Sequence, residues 1–386
     1  MTTKPFAHAI VDDKGLPGLR IDGGLVVAHT HLYSALARGM PPAVPVPGSF
    51  LEILQRVWWR LDRALDRDSL AASARWGLAE AVGRGATCVI DHHESPAFIE
   101  GSLDVIADAM QDLGVRGVVA YGITARNFGT EEWRAGLAEN LRFLKTNRRP
   151  LVRGLVGIHA TFTLPDQALR EAAQLARDFG VGLHVHVAED KMDADALPRL
   201  AAADALVPGS VFAHGVHAKP SEVQQAAERG VWWVHNPRSN AMNRVGFAEL
   251  SAAGERVALG TDGMDGDMLA EARAAMQLSN ATGHSLDPLA RLRAGQALAL
   301  ALFGELDDAT ELSYAPPSPL HAGNVGGHLL FGHPRVSAVQ VAGRRIAVDR
   351  AVLAEEVQPQ AARLWQIMAP LQPEPEHGLL LQRLQS

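Results

Sequence analysis

Two histidines one residue apart close an apolar run, Leu25-Val26-Val27-Ala28-His29-Thr30-His31. On an extended strand, residues i and i+2 project to the same side, so His29 and His31 can present two imidazoles to one cation. In a chain with 16 histidines such a pair can arise by chance, and taken alone it reads equally as packed or surface histidine. Three later segments change the balance: His184-Val185-His186-Val187-Ala188-Glu189-Asp190, Ala213-His214-Gly215-Val216-His217 and Leu259-Gly260-Thr261-Asp262-Gly263. Each sets His or Asp at the end of an apolar run. Imidazoles and carboxylates converging from several strand ends are the donor set of a divalent metal site.

The elements that must position these groups follow from the pattern. Short β-branched runs at residues 25–29, 87–92, 117–123, 152–159, 182–186, 211–214, 231–235 and 257–260 alternate with Ala/Leu/Arg-rich segments at helical spacing. The helices expected between them cover 51–65, 69–84, 103–113, 131–145 and 166–179, the last behind Pro165. Gly83, Gly85, Gly114, Gly180 and Gly230 stand where helices end and strands begin. This order predicts an α/β protein built as a (β/α)8 TIM-like barrel. His29, His31, His92, His93, His159, His186, His214, His235 and Asp262 then all fall at the carboxyl ends of strands, the functional rim of such a barrel. Packing histidines would be scattered through helices and loops instead.

The chain ends read differently. Residues 1–22 and 310–350 contain short alternating stretches, among them Val336-Ser337-Ala338-Val339-Gln340-Val341 before a turn at Gly343, and are expected to pair as a small β subdomain around the barrel of residues 23–309. Residues 351–368 read as a helix, and 351–386 as a C-terminal helix and peripheral tail.

A net charge of -7 and the lack of a basic patch argue against nucleic acid or an anionic membrane as the main partner, which leaves a small-molecule substrate. Cys88 is the only cysteine, which rules out an intrachain disulfide and cysteine-based zinc sites and fits a reducing cytoplasm. The first residues lack the apolar core of a signal peptide, and no run of about 18 or more apolar residues is present. A cytoplasmic location is expected.

The run Gly24 through Ser34, with His186-Val187-Ala188-Glu189, Ala213-His214, His235-Asn236-Pro237-Arg238-Ser239-Asn240 and Gly260-Thr261-Asp262-Gly263-Met264, resembles the amidohydrolase superfamily. Within it the chain is similar to the SsnA-like aminohydrolase/chlorohydrolase branch, through Trp58-Trp59-Arg60-Leu61-Asp62, Asp91-His92-His93-Glu94-Ser95-Pro96, Gly157-Ile158-His159-Ala160-Thr161-Phe162 and His328-Leu329-Leu330-Phe331-Gly332. The resemblance covers nearly the whole chain and implies one divalent metal ion, zinc or else iron(II), held by His29, His31, His186 and Asp262. It implies Glu189 as proton shuttle, with His214 and Asp262 taking and orienting the proton of water. Hydroxide generated at the metal then attacks an amino-bearing sp² carbon of a purine, pterin, pyrimidine or triazine, and ammonia leaves. Binuclear relatives bridge two metals with a strand-four lysine; residues 151–159 contain none, which favours one metal.

Other residues are placed by their position in the chain. His92, Arg126 and His159 are expected to contact substrate, with Met264 and Asp265 lining the pocket. Arg38, His184 and His217 are expected to be local hydrogen-bond partners. Adjacent Trp58 and Trp59 cannot share one helical face, so at least one is expected in the core. The ligands do not encode the leaving group, so a chlorohydrolase or another amidine hydrolase fits the same site; a non-catalytic metal or small-molecule binder is the reading from another class. Only 28 residues precede His29, which implies a reduced β subdomain whose sheet edges a homodimer would cover.

Overall fold

The computed structural model describes residues 6–11 and 15–373. Two sheets are entirely parallel. β3 (Leu25–Thr30), β4 (Ala86–Asp91), β5 (Arg116–Val119) and β6 (Val152–Gly154) pair in that order, following β1 (His8–Val11) and β2 (Pro17–Asp22) in the chain. β7 (Val156–Ala160), β8 (Leu183–Val187), β9 (Val211–His214), β10 (Trp232–His235) and β11 (Val257–Leu259) make the second. All residues of β3, β4, β8, β9 and β10 are buried, which is why these strands read as continuous apolar runs rather than alternating ones. Parallel bridges Thr30↔Asp262 and Ile123↔Ile158 connect the two sheets at both sides.

The run expected as one strand over 152–159 is broken into β6 and β7, which belong to different sheets. The Leu155 amide donates to the Val119 carbonyl at 3.0 Å, whereas the next amide, Val156, donates to the Gly182 carbonyl at 3.1 Å. The chain thus changes partners between consecutive residues. Gly157 permits this, because a Cβ there would lie 2.2 Å from the Tyr121 carbonyl oxygen.

Helices fill the connections. Asp66 opens the Arg67–Gly83 helix through a reciprocal cap with Ser69, and Asp166–Phe179 ends on Gly180 in the left-handed region at φ 63°. The helix expected over 51–65 is interrupted: α-helical turns at Phe50–Ile53 and Trp59–Ala64 flank a π-helical turn at Leu54–Trp58.

The third sheet is antiparallel, in the order β1-β2-β12-β13-β14, with β12 (Ala309–Ser313), β13 (Arg335–Val341) and β14 (Arg344–Ile346). Segments near both ends of the chain therefore meet in one sheet. It is pinned to β5 by a buried ion pair: Arg116 Nε lies 2.8 Å from Asp308 Oδ2, while Asp308 Oδ1 accepts from the Ala342 amide at 2.9 Å. The Arg350–Met368 helix returns toward the functional rim, where Trp365 Nε1 donates to the Leu36 carbonyl at 2.9 Å. Residues 374–386, expected as a peripheral tail, lie outside the described residues. Among the described residues no helix is long and apolar enough to cross a membrane.

Removing one member of the Arg116–Asp308 pair leaves a buried charge uncompensated. Asp308→Ala is expected to destabilise the protein by ~3–5 kcal/mol in denaturant unfolding, with much of the loss recovered when Arg116→Met is added. A single variant as stable as the parent would show that the pair does not anchor the sheet.

Candidate metal centre

β3 delivers His29, and His31 follows immediately as the residue capping the short 3-10 turn Leu32–Ala37. β8 carries His186, β9 ends on His214, and Asp262 lies three residues past the end of β11. His31 Nε2 is 3.0 Å from Asp262 Oδ1, His29 Nε2 is 3.6 Å from the same oxygen, and His186 Nε2 is 3.1 Å from His31 Nε2. His29, His186, His214 and Asp262 offer ligand atoms that all lie within 4.8 Å of one another. The four residues expected as ligands are thus gathered at one point, with His214 beside them.

The outward nitrogens explain the orientation. His31 Nδ1 donates to the His92 carbonyl at 2.7 Å, His186 Nδ1 to the His159 carbonyl at 2.7 Å, and His214 Nδ1 to Asn240 Oδ1 at 2.9 Å. His29 Nδ1 lies 2.8 Å from His184 Nε2. Each ring is held from outside, which leaves its Nε2 lone pair facing inward, as in metal sites whose histidines are oriented by outer partners. His29 Nε2 and His214 Nε2 are buried without a hydrogen-bond partner. Unsatisfied inward lone pairs beside a carboxylate fit a divalent cation.

Electrostatics agree. Burial pushes His29 down to about 3 and holds His186 well below the usual imidazole range. Burial would also raise Asp262, but the neighbouring His29 and His31 imidazoles hold it well below the usual carboxylate range. His31 is pushed up to about 10, because Asp262 and Glu94 together outweigh its burial. The field that keeps a proton on His31 is one that attracts a cation. Backbone strain concentrates here too: Ala188, His214 and Asp262 are non-glycine residues at φ 49°, 77° and 52°.

Further groups complete the centre. Ser239 Oγ donates to Asp262 Oδ2 at 2.5 Å, and Thr30 Oγ1 donates to the Asp262 carbonyl at 2.8 Å. Ser239 and Asn240 sit on the Pro237–Met242 helix that starts directly after β10. Sequence alone does not disclose their roles, although the segment 235–240 stands out as a motif, because polar residues in a first helical turn look like ordinary caps. Glu189 Oε2 is 3.5 Å from His214 Nε2, and burial raises Glu189 to about 7.

Above the centre opens a cleft of about 1030 Å³, including its mouth. His31, His186, Glu189 and Asp262 line its inner part, and Tyr33, Phe50, Phe162 and Met264 are among its walls. His159 also lines it, its Nδ1 donating to Thr163 Oγ1 at 3.1 Å.

Two of the three expected substrate contacts are placed elsewhere. Arg126 is 1% exposed, ion-paired with Asp62, and packed 4.9 Å from the Trp59 ring centroid. A buried guanidinium needs a carboxylate, and Asp62 supplies it away from the cleft wall. His92 is fully buried, with Nε2 donating to the Ile158 carbonyl at 3.0 Å and Nδ1 2.8 Å from Glu94 Oε1. Met264 reaches the cleft, but Asp265 turns to Arg238 at 2.7 Å. Trp58 and Trp59 both line the cleft, and Trp59, 3% exposed, is also the one of the pair that belongs to the core, as expected. They fall at the junction of the π turn and the following α-helical turn, where α-helical spacing does not apply. Arg38 pairs with Glu80, and His217 Nε2 donates to the Val245 carbonyl at 3.1 Å, both local contacts as expected.

Known proteins share this geometry's framework. Residues 23–301 match the Amidohydrolase family. The chain is 28% identical to a 5'-deoxyadenosine deaminase of Methanopyrus kandleri over 74% of its own length and 69% of the relative's. It is 29% identical to an 8-oxoguanine deaminase of Pseudomonas aeruginosa, over 66% of this chain and 63% of that protein. The fold is similar to that of an adenosine deaminase from Xanthomonas campestris with bound zinc, at a TM-score of 0.77 and 23% identity over 90% of this chain and 86% of that one. An atrazine chlorohydrolase from Arthrobacter aurescens, also solved with zinc, superposes at a TM-score of 0.73 with 22% identity over 89% and 88% of the two chains.

The protein is expected to carry one divalent ion per chain in metal analysis, and Asp262→Ala is expected to abolish stoichiometric binding. His184→Ala, which frees the outer nitrogen of His29, should weaken affinity by roughly 10–100-fold in competition with a chromophoric chelator. Unaltered affinity in both variants would place the metal elsewhere.

Proposed function

Because the chain belongs to the amidohydrolase family, we propose that it is a metal-dependent aminohydrolase that releases ammonia from an amino-substituted heterocycle such as a purine, pterin, pyrimidine or triazine. It is a hydrolase acting on C–N bonds other than peptide bonds. The observation that carries the substrate reading is the pairing of Glu189 with His214 directly beside the His/Asp cluster, at the inner end of an aromatic cleft.

His29, His31, His186 and Asp262 would hold the ion, and bound there a zinc-type cation supplies Lewis-acid activation of water at neutral pH. The remaining work falls to side chains. Asp262, with Oδ2 fixed by Ser239, receives a proton from water, and His214, fixed by Asn240, orients that water toward the ring carbon. Glu189, raised to about 7 by burial, gives its proton to the ring nitrogen next to that carbon, and a second transfer converts the amino group into departing ammonia. Water adds, ammonia leaves, and a carbonyl remains. His159 meets the ring edge, while Arg126 acts at a distance, backing Trp59.

We further read the two parallel sheets, bridged at both sides and with the consecutive β6 and β7 taken as the two halves of one barrel strand, as one closed eight-stranded barrel spanning 23–309, with 1–22 and 310–350 as a small β subdomain and 351–386 as a C-terminal helix and tail. The edge strands β1 and β14 retain pairing capacity that a second copy would take up, in line with a homodimer. The lone cysteine supports a cytoplasmic location.

Ammonia release is expected from at least one member of a panel of amino-purines, pterins, pyrimidines and triazines, with chloride release from chlorotriazines measured alongside to distinguish leaving groups. Glu189→Gln should lower kcat by ~10²–10⁴-fold while retaining the metal. Full activity in that variant would remove Glu189 from proton transfer.

A further inference from the structure

The cleft above the metal centre is chemically one-sided. Five carboxyl groups line it, those of Glu94, Glu189, Asp190, Asp193 and Asp262, and among its described lining residues there is no lysine or arginine. Arg126 stands behind the Trp59 ring and is already neutralised by Asp62. His159 adds another acceptor: the Thr163 hydroxyl gives its one proton to the Ala160 carbonyl at 2.9 Å, so Nδ1 of a neutral His159 ring donates to Thr163 and Nε2 carries the lone pair.

Glu94 is the most exacting of these groups. It is 1% exposed and lines the cleft, with Oε1 shut away beside His92 Nδ1 at 2.8 Å and Oε2 3.7 Å from His31 Nδ1. A buried carboxylate is stabilised by several donors, and a ligand N–H presented to Oε2 would add one. Glu94 also lies with His159 and His186 in a group whose ligand atoms are within 4.8 Å of one another, so it addresses the same small volume as the reacting centre. Much of the remaining lining is apolar, with Phe50, Leu54, Trp58, Phe162 and the exposed Met242 among it. The cleft opens to solvent above the centre, so a ring seated beside it can carry a substituent that lies along these walls.

Resting on the aminohydrolase reading above, we propose that the substrate is a heteroaromatic ring that presents N–H donors to Glu94 and carries an apolar substituent, and that rings bearing a carboxylate or phosphate are rejected. Rejection is built in. An anionic substituent reaching outward from the metal would be desolvated beside Glu94 and Asp190 with no lysine or arginine to meet it, whereas an apolar one displaces water from aromatic and thioether surface. Glu94 is a specificity-determining residue in this scheme.

The test uses the metal-loaded protein and matched pairs of amino-purines, pterins, pyrimidines and triazines, each ring in an alkyl-tailed and a carboxyalkyl-tailed form. Calorimetry reads binding while ammonia release is followed in parallel. The alkyl-tailed member should bind at least about tenfold tighter, equivalent to ~1.4 kcal/mol, on whichever ring is accepted. Glu94→Gln should weaken binding of that member by about tenfold with unchanged metal content. Met242→Arg, at a position 68% exposed at the mouth, should narrow the ratio between the two tails by supplying the missing cation. Equal binding of both tails, or a ratio untouched by Met242→Arg, overturns this inference while ammonia release leaves the aminohydrolase reading standing. Tight, tail-selective binding without ammonia or chloride release would overturn the hydrolytic reading and leave the selectivity. Binding of no ring in either form overturns both.

Discussion

Everything at the functional rim depends on one carboxylate placed where the last parallel strand meets the first. Asp262 faces His31 at 3.0 Å and His29 at 3.6 Å, and its own backbone bridges Thr30 across the gap between the two parallel sheets. Its amide and that of Thr261 both donate to the His29 carbonyl, at 3.1 and 2.9 Å. The contacts that join the sheets are therefore the contacts that set ligand spacing. A left-handed backbone at Asp262, costing roughly 1–3 kcal/mol on a non-glycine residue, is tolerated because so many bonds fix the residue there.

Around that carboxylate the histidines are oriented from outside inward. Backbone carbonyls of His92 and His159, the Asn240 amide and His184 each engage an outer ring nitrogen, so the inner nitrogens have no freedom to turn away. Two of these outer partners are carbonyls of residues that are themselves on the functional rim. The centre is a mesh in which strand ends orient one another, and this preorganisation leaves little rearrangement to be made when a cation binds.

Much of this was legible in the sequence. The HxH spacing, His186 with Glu189 three residues on, His214 and Asp262 all mark strand ends, and a strand end is a local property that apolar runs announce. Parallel pairing was legible for the same reason, since strands buried on both faces read as uninterrupted apolar stretches. Contacts between distant segments, by contrast, leave no local trace. Arg126 looked available to substrate because its partner Asp62 lies 64 residues away, and nothing in the spacing of either announces the pair. The break at Leu155 follows from a close approach of Gly157 to the Tyr121 backbone, which sequence shows only as one glycine among 36. Ser239 was hidden by resembling a cap.

The π turn at Leu54–Trp58 has a consequence for how such a cleft can be reshaped. A π turn holds one residue more than an α-helical turn for about the same sweep around the axis, so a single-residue deletion there would relax it to continuous α-helix and leave the Trp59–Ala64 helix in nearly its present orientation to the Phe50–Ile53 turn. The cleft wall would lose one side chain while the strands bearing His29, His186 and His214 stayed in place. That side of the cleft is thus adjustable by chain length, independently of side-chain identity and of the catalytic floor.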